Sequence, residues 1–304
     1  MFPSLQDFEP FFVTGLALGS VYAVSGVGMV VLYRATGVLN LAFGAVGALG
    51  ALIAWTLINH TGTPNWAAYL VCIAFGGLVT LVYGLVFGPP LAGRNPLVKA
   101  VATLGLALIL LGIMSWIWSD KARSMVLGTT NSGFDVGLVR INWTQVIAFA
   151  FGVAVTALTG IFLRGTNLGT AMRALADDRE ITATLGVPVR RVESVAWLAS
   201  GLIAGATGLL LSNLVGLDAG TLTFLVISSL AACLIGRLRS LVWTMLGGLV
   251  VGLVDALAAP VVLWPSTGYG SLSEYRDMAP FVVATIALLW LARRREISFS
   301  RTVD

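Results

Sequence analysis

Long runs without a charged residue dominate this chain. Phe11–Leu32, Val38–Ile58, Ala67–Phe87, Val101–Ser119, Trp143–Leu163 and Val195–Leu217 contain no Asp, Glu, Lys or Arg. Each is close to the roughly 20 residues an α-helix needs to cross the hydrocarbon core of a bilayer. Lipid offers no hydrogen bonds to a bare backbone, so runs of this kind predict helices. Strands of a membrane barrel would be shorter and would alternate in polarity. Three more apolar stretches follow, Leu222–Ile235, Leu241–Val262 and Met278–Ala292. The first and last are short for a span.

Composition supports the pattern. Of 304 residues, 58% are hydrophobic and 11% charged, against about 25% charged in soluble domains. The prediction is an all-α polytopic transmembrane helix bundle, one domain over 1–304. Nine spans are expected, with eight the alternative if Leu222–Ile235 is re-entrant. Nine crossings gather 14 of the 18 basic residues on one side, leaving Lys121, Arg123, Arg140 and Arg276 on the other. That bias obeys the positive-inside rule, with the N-terminus outside and the C-terminus cytoplasmic. A re-entrant Leu222–Ile235 would put the Arg164–Arg191 segment and the tail on opposite sides, so nine is preferred. A sequence pI near 9.4 thus reports membrane sidedness, and nucleic acid is not implied. Asp7 and Glu9 precede the first apolar run, which predicts a retained span instead of a cleaved signal peptide.

Within the spans, glycines four residues apart (Gly15 and Gly19, Gly201 and Gly205, Gly248 and Gly252) predict closely packed helices. Asp255 is an acidic residue well inside an apolar span, which costs about 2.5–3.5 kcal/mol on insertion scales. It reads equally as a contact along a solute path or as a hydrogen bond that fixes packing. Asn40 opens the second span, where capping is favoured over a place on a pathway. Tyr22, Ser25 and Thr103 are pore candidates, although a hydroxyl in a helix more often bonds its own backbone. Cys72 and Cys233 read as small core residues, and His60 as a solvated residue at a span end. Trp116, Trp118, Trp143, Trp264 and Trp290 lie near span ends, as in an aromatic belt. Nothing in the sequence forms a nucleophile–base pair, a metal cluster or a phosphate loop. No catalytic residue, metal site or bound cofactor is expected.

The segment 164–194 is the longest connection on the basic side. Ala171, Met172 and Leu175 share one helical face, and Asp177 with Glu180 has the spacing of a capping box that would start a second short helix. Gly186 and Pro188 supply a stop. The expectation is a short helix or helix pair held flat against the cytoplasmic face. Asp177, Asp178 and Glu180 suit a protein partner better than an anionic leaflet.

Gly169-Thr-Ala-Met-Arg-Ala-Leu-Ala-Asp-Asp, followed by Thr184-Leu-Gly-Val, resembles the cytoplasmic loop of the branched-chain amino acid permeases of ATP-binding cassette importers. Thr14–Ala23, Gly37–Gly44, Leu246–Leu257 and Glu274-Tyr-Arg-Asp resemble further motifs of that family, in the same order. The resemblance implies a permease that pairs with a second permease, identical or similar. It also implies two cytoplasmic ATPases, which would use ATP and Mg, and an extracytoplasmic solute-binding protein. The setting would be the lipid of the cytoplasmic membrane of a bacterium or archaeon. It assigns Arg173, Ala174, Leu175, Asp177, Asp178, Glu180, Leu185 and Gly186 to ATPase coupling. Asn40, Phe43, Gly44 and Asp255 are the candidates for the translocation path. The chain has no G-x-x-x-x-G-K-[ST] loop of its own. Phe43 and Ala45 stand where the family commonly has His and Glu, and Arg237 interrupts a Gly-Gly turn after Ile235. The resemblance makes branched-chain amino acids the first expected solute, and the replaced His and Glu leave urea, short amides or another amino acid as alternatives. An ion-coupled secondary transporter is the alternative of another class.

Overall fold

A computed structural model describes residues 5–119, 121, 123–125, 129, 132–136 and 139–262, and four later positions, 282, 285, 286 and 289. Among the described residues the regular structure is helical apart from one short antiparallel hairpin. In order, the elements are α1 (Leu5–Thr36), α2 (Phe43–Thr61), α3 (Asn65–Leu91), α4 (Pro96–Trp118), β1 (Gly133–Val136) and β2 (Val139–Asn142). Then come α5 (Trp143–Gly165), α6 (Asn167–Asp177), α7 (Arg179–Thr184), α8 (Val189–Leu214), α9 (Ala219–Phe224), α10 (Val226–Ile235) and α11 (Leu241–Val262). Local chemistry sets several starts. The Asn95 side chain accepts from Leu97 N at 3.1 Å, with Pro96 in the first helical turn of α4. Gln145 reaches back to the Asn142 N–H at 3.1 Å to open α5.

Among the described residues, seven helices are long and apolar enough to cross a membrane: α1, α2, α3, α4, α5, α8 and α11. The chain is a multi-pass membrane protein. The predicted span Leu222–Ile235 lies in one shorter apolar helical stretch, Ala219–Ile235. Its two parts, α9 and α10, meet at Leu225, whose backbone stays in the α region at φ −60° and ψ −12°. Together they still run the length of the bundle. Leu217, just before α9, pairs with Arg123 beyond the end of α4, while Arg239, just after α10, accepts a hydrogen bond from Arg34 at the end of α1. The predicted ninth span, Met278–Ala292, lies outside the described residues except at those four positions, as do Trp264 and Trp290.

Helix α1 is central: 94% of its most apolar window is buried inside the protein, against 28% for α4 and 17% for α5. The outer helices present large apolar side chains such as Leu108, Ile109, Trp116, Leu158 and Ile161 outward. Lipid solvates such surfaces, so they need no protein cover. The interior is close backbone contact at glycines. A Cβ at Gly19 would lie 2.8 Å from Gly248 O and Leu249 Cα, and one at Gly76 would lie 2.5 Å from Gly201 O. With lipid tails as apolar as Leu, this van der Waals fit is what holds helices together. Gly19→Leu is therefore expected to destabilise the α1–α11 pair by about 1–3 kcal/mol. Thermal unfolding in detergent should show a lower midpoint, and Gly112→Ala, whose Cβ would meet nothing within 4 Å, should show none. Equal midpoints for the two variants would contradict the packing.

Candidate functional site

Between α1 and α2 the chain turns back into the bundle. Gly37, at φ +65°, ends α1 in the left-handed conformation that glycine adopts at least cost. The next residues are not helical, yet Val38, Asn40 and Ala42 are 5%, 1% and 0% exposed. Non-helical backbone at membrane depth persists only where protein satisfies it or where it borders a cavity. Thr103 does part of this, accepting from Leu41 N at 3.1 Å and donating to Leu39 O at 2.9 Å. Thr103 is seven residues into α4, so the linker reaches about 10 Å into the bundle. The expected backbone bond of that hydroxyl, to Ala100 O, is also present.

Asn40 does not cap α2 in the predicted way. Its Oδ1 accepts from Ala42 N at 3.1 Å, one residue ahead of the helix, and Ala42 holds the N-cap position without a side-chain bond. The Asn40 Nδ2 is buried and has no hydrogen-bond partner among the described residues. A buried amide donor left in this way costs about 1–3 kcal/mol.

The start of α2 meets α9–α10. A Cβ at Gly44 would lie 2.5 Å from Thr223 O and 2.7 Å from Leu222 O. Phe43, 2% exposed, closes against Gly28 and Ile203. At this junction a small void is lined by Phe43 and Gly44, by Gly47 facing Gly208 of α8, and by Leu222, Leu225 and Val226. Its polar lining comes from Ser25, Thr207 and Ser229, and none of the described residues that line it is charged. The cavity measures ≈ 10 Å³, about enough for one water. A larger solute needs the lining helices to part.

Asp255 is not among the residues lining that void. It is 9% exposed, and its Oδ2 accepts from the Tyr22 hydroxyl at 3.0 Å where α11 crosses α1. Asp255→Asn keeps an acceptor and should preserve the fold. Asp255→Leu removes it, with an expected loss of about 1–3 kcal/mol, measured as a lower unfolding midpoint. Equal midpoints for the two variants would show that this bond does not fix packing.

The 164–194 segment forms the predicted helix pair. Thr166 caps α6 through Gly169 N at 3.0 Å. The predicted capping box shifts by one residue: Asp178 caps α7, accepting from Ile181 N at 2.9 Å, and Asp177 ends α6. Gly186, at φ +84°, follows the end of α7. The buried face of α6 is Met172 and Leu175, which join a core cluster with Val31, Leu32, Ala35 and Val38. The element is thus seated on the end of α1 and on the re-entrant linker. Arg173, Asp177, Asp178, Glu180 and Gly186 are exposed, and Ala174 is half-buried. Arg179 pairs with Glu193 of α8, while the buried Lys99 of α4 donates to Thr36 O at 3.4 Å. On α7 the sequence reading missed Ile181, 60% exposed, one turn from Leu185, 78% exposed. Their i, i+4 spacing beside an acidic cluster is the signal that could have found them. Arg237, at φ +53°, and Leu238, at φ +55°, occupy left-handed positions. The positive φ at 237 is where glycine costs least, so Arg237 is the less favourable choice there.

A profile of the family described as the permease component of the branched-chain amino acid transport system matches residues 11–290. The chain belongs to that family. The permease is 26% identical over 306 residues to the high-affinity branched-chain amino acid transport system permease protein BraD of Pseudomonas aeruginosa, covering 95% of each chain. It is 28% identical over 237 residues to the probable branched-chain amino acid transport permease protein LivH of Methanocaldococcus jannaschii, covering 76% of this chain and 74% of that one. With the high-affinity LivH of Escherichia coli K12 it shares 25% identity over 293 residues, covering 90% and 91%. The family is a transport component of ATP-binding cassette importers and not an enzyme. Membership implies ATPase and solute-binding components alongside the permease.

Proposed function

We propose that this permease moves branched-chain amino acids through the junction of α2 and α9–α10, inward across the cytoplasmic membrane of a bacterium or archaeon. The observation that carries the reading is a small void where the non-helical approach to α2 meets α9–α10, lined by apolar groups and three hydroxyls. A non-helical stretch inside a bundle can present free backbone and a helix start to a solute. Apolar walls suit an aliphatic side chain. The unpaired Asn40 amide and the start of α2 offer donors to a carboxylate as the path opens. Phe43 and Gly44 form its closed level, and Asp255 stands beside it as a packing residue of α1 and α11.

The end bearing Arg34, Lys99 and α6–α7 is cytoplasmic on this reading, in line with the basic-residue bias. There α7, with Ile181 and the following Leu185 flanked by Asp177, Asp178 and Glu180, docks on an ATPase together with the exposed Arg173 and with Gly186, while Ala174 and Leu175 seat the element. Two such ATPases bind ATP and Mg, a second permease completes the pathway, and a solute-binding protein delivers the solute from outside. ATP binding favours one orientation of the pathway and hydrolysis releases it. In a host whose own branched-chain importers are deleted, the permease expressed with its partner subunits should restore uptake of leucine, isoleucine and valine. Restored growth on urea or short amides without restored leucine uptake would replace the solute assignment.

A further inference from the structure

The end of the bundle away from α6–α7 carries a fastening that the transport reading does not use. Arg123 follows α4 and makes contact with three elements. Its guanidinium lies over the Trp55 ring of α2, 5.1 Å from the centroid. It donates to Trp118 O at the end of α4 and to Lys121 O at 3.0 Å. Its backbone pairs both ways with Leu217, at 3.0 and 2.9 Å. Two residues on, Met125 is 5% exposed. Its carbonyl accepts from the Asn213 amide at 2.7 Å, and its sulfur accepts from the Ser212 hydroxyl at 3.4 Å. Trp118 itself donates to Thr56 at 2.8 Å.

The elements fastened together are those that line the void. Trp55 and Thr56 continue the helix that starts at Phe43. Ser212 and Asn213 directly follow Leu211, a lining residue, and Leu217 leads into α9. Met125 also shares a hydrophobic cluster with Leu211 and Leu222. Arg123 binds within the protein: both terminal nitrogens of its guanidinium donate to main-chain carbonyls. We propose that Arg123 is a latch: with Met125 it holds α2, α8 and α9 together at the extracytoplasmic end of the pathway and keeps that end shut until the solute is delivered. The inference rests on the pathway assigned above. In this role Arg123 is a positioning residue, acting through the helices it joins.

The test uses the full permease with its partner ATPases in proteoliposomes and a membrane-impermeant maleimide added from the extracytoplasmic side. Leu211→Cys reports access to the void, and the native Cys72 and Cys233 are buried. Without ATP, Leu211→Cys should label slowly. Adding Arg123→Ala should speed labelling about tenfold, the size expected for loss of one charge-assisted bond and a cation–π contact. Arg123→Lys should fall between, because it keeps the charge and loses the planar fork. Unchanged labelling in Arg123→Ala overturns the latch.

A second variant replaces the lost guanidinium contacts by a reversible covalent tether. Arg123 and Leu217 form a hydrogen-bonded antiparallel pair, for which the Cα separation is about 5.5 Å, within disulfide reach. Oxidised Arg123→Cys/Leu217→Cys should not transport, and reduction should restore transport. Equal transport in both states overturns the latch. A wild-type permease that labels as described and moves no amino acid would instead count against the pathway's solute.

Discussion

Ile181→Asp combined with Leu185→Asp is expected to abolish stimulation of the partner ATPases while leaving the permease folded. Both side chains are exposed in the isolated chain, so neither supports its own fold. Covering an exposed aliphatic side chain contributes about 1.5–3 kcal/mol, and two charges added to an already acidic surface oppose docking further. Affinity for the ATPase should fall by roughly a hundredfold or more, read by co-purification and by ATPase rate at fixed subunit concentration. Normal stimulation in the double variant would remove α7 from the coupling surface. A flexible Gly/Ser replacement of Ala174–Asp178 is a less clean test. It deletes Leu175, which is 6% exposed and joins the core under α6, so it perturbs seating and docking together.

The second large effect is expected at Gly44. Its place against Thr223 O and Leu222 O leaves no room for a side chain, and main-chain oxygens cannot turn aside as a side chain can. Gly44→Val forces α2 away from α9 at the level of the void. Overpacking of this kind costs about 1–3 kcal/mol, and each 1.4 kcal/mol that shifts the closed arrangement changes its population about tenfold. Uptake should fall at least about tenfold, with membrane insertion and ATPase binding retained, and Gly44→Ala should fall less. Wild-type uptake in Gly44→Val would place the pathway elsewhere.

Much of the membrane architecture was legible because lipid imposes a coarse rule. Charge-free runs of span length mark α1, α2, α3, α4, α5 and α8, and small residues at four-residue spacing mark helix contacts, as Gly19 against Gly248 illustrates. The re-entrant linker was harder to read. Val38–Ala42 is as apolar as a helix, and only Gly37 and Asn40 signal a break. Its support comes from Thr103, more than sixty residues away, a pairing that no local pattern encodes.

Site residues divide along the same line. Phe43 and Gly44 were found through a motif and meet at the void. Thr207 and Ser229 line the same space but look like ordinary helix hydroxyls, and Thr207 does bond Ile203 O at 2.9 Å. Phe43 and Ala45 are both buried. A His and a Glu at those positions would each need a buried partner, so here the junction is closed by apolar contact instead of by polar pairing. The capping residue of α7 shifted from Asp177 to Asp178 because adjacent aspartates give the same local signal.

The most direct measurement is uptake of labelled leucine into proteoliposomes holding the permease, its partner permease and the two ATPases, with the solute-binding protein outside. The account predicts accumulation that requires ATP, Mg and the binding protein and does not respond to an imposed proton or sodium gradient. Accumulation driven by an ion gradient without ATP, or none of any branched-chain amino acid with ATP present, would contradict it.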